Sequence, residues 1–236
     1  TYSQTMGSRL GNAIYIVGSS PTIRACTLTG PCTLALGIVA CQAESRPTLL
    51  DCTITARSCA GDVFFVTPLV YSTADSYPTM IGCAVVDHAK KTAIRCDGGC
   101  SLTSCTVSGF TLEFTPDMDP YVLSQYSYVV ECGPSSSLRD CVIEDNNGGI
   151  RCGERSSLTN CVIRTNKRTG LAVLGGSTVD HCTISANGGD GVTCAGDPTF
   201  EACVVTANGG AGVLCGERAL PTLRGCTIEK NEGGGV

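Results

Sequence analysis

No window of ten residues or more in this chain carries a helical stripe of apolar residues free of glycines and turn clusters, which excludes a helical bundle. No apolar run reaches eighteen residues, so there is no candidate membrane-spanning helix. An Asn-x-Ser/Thr acceptor and a signal-like start are also missing, and these absences favour an intracellular, reducing home. The only paired lysines are Lys90 and Lys91, and the net charge is −5. With a pI near 5.0, a nucleic-acid surface is excluded. No Cys-x-x-Cys pair is accompanied by a second such pair or by a histidine pair, and His88 and His181 lie far apart. No metal or cofactor is therefore expected.

What is present is a repeat of about 21 residues. Cys141, Cys161, Cys182, Cys203 and Cys226 each begin a Cys-x-Val/Ile pair. Five residues after each stands an asparagine: Asn146, Asn166, Asn187, Asn208 and Asn231. A glycine then precedes a short apolar segment, as at Gly149, Gly170, Gly191 and Gly212. Cys161 and Ile163 lie two apart and face the same way only in an extended chain. Each unit thus holds two or three strands of three or four residues joined by turns. Such strands cannot pair within one unit, so units stack about 4.8 Å apart as the coils of a solenoid. The N-terminal half places Cys26, Cys52, Cys83 and Cys105 in the same slot. Nine coils follow, making a rod on the order of 43 Å long.

The predicted fold is all-β: a single-stranded right-handed parallel β-helix forming one domain over residues 1–236. No capping element is visible at the C-terminus, and the chain reads as an excerpt of a longer protein.

Eighteen cysteines would ordinarily suggest disulfides, but their phase points elsewhere. Nine occupy the Cys-x-Val/Ile slot. Cys41, Cys96, Cys132, Cys152, Cys194 and Cys215 occupy an earlier strand, where Ile16 and Val173 substitute. A slot shared with Ile and Val is a core slot, so two columns of inward, reduced thiols are expected. The asparagines should form an inward amide ladder, and the glycines beside them should supply positive φ. Pro-Thr recurs at 21–22, 47–48, 78–79, 198–199 and 221–222, where the proline fixes φ at the start of a strand.

The pattern Pro-Thr-Ile/Leu-x-x-Cys-x-Ile, followed by Asn-x-x-x-Gly-Val, resembles the right-handed parallel β-helix repeat of the carbohydrate-binding and sugar-hydrolase type domain. Residues 20–28, 46–54 and 220–231 are similar to coils of the F-box-associated β-helix proteins. Cysteine departs from the Asn or Arg those relatives often carry in that slot. The resemblance spans essentially the whole chain. It implies a family that includes polysaccharide lyases, hydrolases, uronate epimerases, a periplasmic copper-maturation factor and non-enzymatic recognition modules.

Sugar-cleaving sites need acids gathered at one phase of consecutive coils. Here Asp51 and Asp140 share one position, but seven other coils fill it differently, and Asp87-His88 and Asp180-His181 fall at different phases. No catalytic residues are expected. The period breaks at residues 67–77 and 110–128, two insertions expected to leave the rod as loops. They carry Tyr71, Tyr77, Tyr121, Tyr126 and Tyr128, and tyrosine-rich loops suit protein interfaces as well as sugar stacking. Glu113, Asp117 and Asp119 are a weak candidate cation group. The expected function is a non-catalytic module for protein recognition or scaffolding in a larger intracellular, cytoplasmic or cytoskeletal assembly. Its expected partners are other proteins and, as a further option, carbohydrate, without nucleic acid or membrane. The alternatives are a lyase- or epimerase-type enzyme and an extracellular adhesin-like rod.

Overall fold

The structure is a computed structural model that describes residues 14–31, 37–57, 68–87, 92–111 and 127–235. It contains 27 strands in three parallel sheets of nine, and no helix among the described residues. Every third strand belongs to the same sheet, so the chain visits the three sheets in turn and climbs one rung per circuit. One coil is Ile150–Cys152 in the first sheet, Ser157–Thr159 in the second and Val162–Arg164 in the third. Nine rungs in each sheet set about eight complete turns between the first and the last.

Alternation along these three-residue strands decides what is inside. In the first sheet, residues one and three point in; Ile150 and Cys152 are fully buried while Arg151 is exposed. In the second and third sheets the middle residue points in, as Leu158 and Ile163 do. The result is one continuous column per inward position. The second-sheet column runs through Leu49, Met80, Leu102, Leu138, Leu158, Val179 and Phe200, all essentially inaccessible. Each such side chain contributes about 1.5–3 kcal/mol on leaving water.

Both thiol columns are where the repeat places them. In the first sheet the register runs Ile16, Cys41, Ser72, Cys96, Cys132, Cys152, Val173, Cys194, Cys215. Ser72, one oxygen in place of sulfur, is thus a third substitute. In the Cys-x-Val/Ile slot, successive carbonyls accept from the next coil: Thr183 donates to Cys161 and Val204 to Cys182, each at 2.9 Å. All sixteen described cysteines are free thiols.

The asparagine ladder forms as expected. Asn166 Nδ2 donates to Asn187 Oδ1 at 2.9 Å, and Asn208 Nδ2 to Asn231 Oδ1 at 2.9 Å. Phe110, five residues after Cys105, fills the slot one coil earlier. It is 1% exposed, and its backbone N–H donates to Asn146 Oδ1 at 3.1 Å.

Two expectations are corrected. Gly149, Gly170, Gly191 and Gly212 do not supply positive φ. The left-handed residue is the one before each asparagine: Asp145, Thr165, Ala186, Ala207 and Lys230, with φ of 53–56°. Gly170, Gly191 and Gly212 are needed for space, because a Cβ there would lie 2.6–2.7 Å from the Nδ2 of Asn187, Asn208 or Asn231. The second correction concerns the insertion expected at 67–77: its described part, residues 68–77, does not leave the rod. Val70–Ser72 pairs in register with Val39–Cys41 and Ile94–Cys96 as an ordinary first-sheet rung. Tyr71 stands outward on it because Val70 and Ser72 both fill inward columns.

Candidate functional site

The outward middle residue of the first sheet forms a single column along the rod: Tyr15, Ala40, Tyr71, Arg95, Glu131, Arg151, Ala172, Thr193 and Leu214. Its first six rungs carry two tyrosines and three charged side chains about 4.8 Å apart. The side chains interlock. Tyr71 donates its hydroxyl to Asp97 Oδ2 at 3.0 Å, and Arg95 Nε donates to Asp97 Oδ1 at 2.9 Å. Arg95 also reaches Glu131 Oε2 at 4.0 Å. Tyr15 donates to Gln42 Oε1 at 2.7 Å.

The electrostatics follow from partial burial. Burial pushes the Glu131 carboxyl above its ordinary range, and Arg95 and Arg151 pull it back down. The Asp97 hydrogen bond and charge hold Arg95 more firmly protonated. Tyr71 is raised by burial first and by Asp97 second.

Beside this column runs a trench at the corner between the first and second sheets. One cleft of about 210 Å³ is lined by Asp97, Glu131, Gly133, Arg151 and Leu174, among others. A second of about 440 Å³ is lined by Glu154, Leu174, Gly176 and Asp197, among others. Leu174 lines both, so the two clefts are neighbours along this corner.

Of the predicted tyrosines, Tyr71 lies on the column. Tyr77 is 41% exposed at the neighbouring corner of the same coil, with the Arg46 guanidinium 5.0 Å from its ring centroid. Tyr128 is half-buried just ahead of the rung Val130–Cys132. Tyr121 and Tyr126, and the acids Glu113, Asp117 and Asp119, lie outside the described residues. The structure adds Tyr15, Arg46, Arg95, Asp97, Glu131 and Arg151. For Tyr15, Arg95, Glu131 and Arg151 the outward direction was readable from the middle place in Ile-Tyr-Ile, Ile-Arg-Cys and Val-Glu-Cys, though not their alignment; Arg46 and Asp97 carried no such signal.

The remaining acids are dispersed around the rod. Asp140 accepts from Asn160 Nδ2 at 3.2 Å, Asp180 meets His181 Nδ1 at 2.6 Å, and Glu144 pairs with Arg164 at 2.7 Å. Asp51, Asp140 and His181 share the turn between the second and third sheets with Ala25, Gly82, Ser104, Asn160, Ala202 and Gly225. All nine have φ of 49–62°, so this position is selected for left-handed backbone rather than for acid chemistry. Among the described residues no three His, Cys, Asp or Glu side chains come together to hold a metal ion. Among them, too, no helix is long and apolar enough to cross a membrane.

Three parallel sheets wound from one chain, with stacked amides and thiols inside, define a parallel β-solenoid. Residues 6–179 and 92–236 match the model of the family described as the right handed beta helix region. The chain belongs to that family, and its solenoid is right-handed. Comparison with curated proteins and with solved structures gave no match.

Proposed function

We propose that this chain is a rigid, non-catalytic module that recognises other proteins within a larger intracellular assembly, in the manner of the F-box-associated β-helix proteins it resembles. The observation that supports this reading is the outward column of Tyr15, Tyr71, Arg95, Glu131 and Arg151, with Tyr77 stacked under Arg46 beside it. Tyrosine and arginine are enriched among the anchors of protein interfaces: tyrosine presents a large rigid area at low entropic cost, and arginine a planar fork of donors. The rod holds these groups in a fixed row, so their spacing is set before a partner arrives. Photo-crosslinking tests the reading. A benzophenone side chain at position 15, 71 or 77 should capture one defined protein in cells, while the same group at Thr183 on the third sheet should not. Equal capture from both faces, or none from the first, overturns it.

A second reading, a carbohydrate-active site, is favoured by one observation. Glu131 sits between Arg95 and Arg151 in the trench. That is an acid beside groups able to neutralise a substrate carboxylate. Its test is release of unsaturated product from uronate polymers by the purified chain, abolished in Glu131→Gln. No product at enzyme-scale concentrations removes this reading and leaves the first.

A further inference from the structure

We infer that the trench beside the first sheet binds an extended, basic peptide segment of a partner protein. The inference rests on the protein-recognition reading and gives it a partner chemistry. Three observations carry it.

The first is shape. Asp97, Gly133, Gly153 and Ala195 each follow a first-sheet strand and take the rung-to-rung hydrogen bond of their column, from the fourth coil to the eighth. Four rises of about 4.8 Å give about 19 Å, the length of about six residues of extended chain. The second is the floor. A Cβ on Gly133 would lie 2.2 Å from the Gly98 carbonyl oxygen, and one on Gly153 would lie 2.7 Å from Pro134 N. No side chain can grow from either position, so at these two neighbouring rungs the trench presents bare backbone, while Asp97, Leu174 and Ala195 carry side chains at the others.

The third is charge. The lining holds four carboxylates, Asp97, Glu131, Glu154 and Asp197, against the single guanidinium of Arg151. Two further cations flank the lining: Arg95, held by Asp97 at 2.9 Å, and Arg155, whose side chain lies 3.3 Å from where a Cβ on Gly176 would stand. Glu131 is partly stripped of water already, which raises its affinity for a cation that completes its solvation. The acids recur along the trench at one- or two-rung intervals. An extended chain sends every second side chain to one side about 6.6 Å apart, so alternating lysines or arginines meet them in succession. An anionic ligand meets more carboxylates than guanidinium groups along the lining, Arg151 being the one cation within it.

The test uses the purified chain and a fluorescein-labelled eight-residue peptide alternating lysine and serine, read by fluorescence anisotropy. The expected result is salt-sensitive binding, weakened about tenfold in Glu154→Gln/Asp197→Asn and essentially unchanged in Glu201→Gln, an acid on the outer face of the second sheet. Asparagine at 197 keeps the acceptor that takes the Gly176 N–H, and unchanged circular dichroism and urea midpoint confirm that the variants fold. Three results overturn the inference: no binding, equal weakening by Glu201→Gln, or preferential binding of an alternating glutamate–serine peptide or an oligouronate. A protein crosslinked at position 71 or 77 while the basic peptide fails to bind removes the trench and leaves the recognition reading standing.

Discussion

Asn187 and Asn208 are joined side chain to side chain across one coil, Nδ2 donating to Oδ1 at 3.0 Å. The same Asn187 side chain donates to Ile163 O at 3.1 Å and accepts from both the N–H and the Nδ2 of Asn166. One buried amide therefore satisfies its own polar atoms and four others. Asn187→Ala should lower stability by about 3 kcal/mol, because buried partners left unpaired cost about 1–3 kcal/mol each. Asn231→Ala, at the half-exposed end of the ladder, should cost about 1 kcal/mol, since water can replace what is lost. Urea unfolding followed by circular dichroism measures both; equal costs would contradict a buried, cooperative ladder.

The two kinds of glycine in the repeat should respond to substitution to different degrees and for different reasons. At Gly191 a Cβ would lie 2.5 Å from Val205 Cγ1 and 2.7 Å from Asn208 Nδ2, in backbone that is not left-handed. Gly191→Ala should cost about 2 kcal/mol or more through overpacking. Gly225 has φ of +60° and its nearest neighbour at 4.0 Å, in a column where Ala25 and Ala202 are already tolerated. Gly225→Ala should cost about 1 kcal/mol, and Gly225→Asn less, because asparagine accepts the left-handed region more readily. Melting curves of the three variants decide it.

This contrast also marks how far the sequence can be read. The columns of Cys, Asn, Leu and Ile were legible because an inward position repeats at constant phase and tolerates only similar volumes. Spacing places a glycine in a turn, but it does not say whether φ or space demands it; only the neighbouring coil answers that. A buried serine ladder was missed for a related reason. Ser136 donates its N–H to Ser156 Oγ at 3.3 Å, and Ser156 to Ser177 at 3.2 Å, yet Cys100 holds the preceding place. The column is defined by a small polar atom, not by one residue type. Residues 68–77 were misread because Ser72 stands where cysteine, valine or isoleucine marks the other rungs, so a regular strand looked like part of an insertion. The outward column of the first sheet was hidden differently. Outward residues are free to vary, so nothing in the period singles out Arg95 or Glu131 until register aligns them.

The thiol columns should make the protein less stable in alkali. Burial, with the Cys96 thiol adding to it, pushes Cys41 from 9.0 up to about 12. The sign follows from proton binding. Between those values the unfolded chain releases the proton while the folded chain keeps it, so stability is complete below about pH 9 and declines as pH rises toward 12. The urea midpoint should fall between pH 8 and pH 10, and Cys41→Val, which removes the titrating group from a column that already accepts Ile and Val, should show a shallower fall. Identical slopes in the two proteins would place the Cys41 thiol in contact with water.

Glu131 should behave in the opposite direction to a stabilising surface acid. Its carboxyl is raised above 4.5 by burial, with Arg95 and then Arg151 working against that rise. A raised carboxyl favours the protonated folded state, so ionised Glu131 costs stability at neutral pH, and that cost disappears as pH falls through the folded value. Glu131→Gln should leave stability at pH 7 unchanged or slightly higher. Arg95→Met removes the nearer opposing cation, so burial acts with less resistance and the Glu131 titration should move further upward. It also releases Asp97 and, through it, the Tyr71 hydroxyl held at 3.0 Å. Carbon-detected NMR of the Glu131 carboxyl resolves the outcome. An unmoved or lowered midpoint in Arg95→Met would mean that solvent, not the arginine, sets the charge on this face, and the row of interlocked side chains would lose its central link.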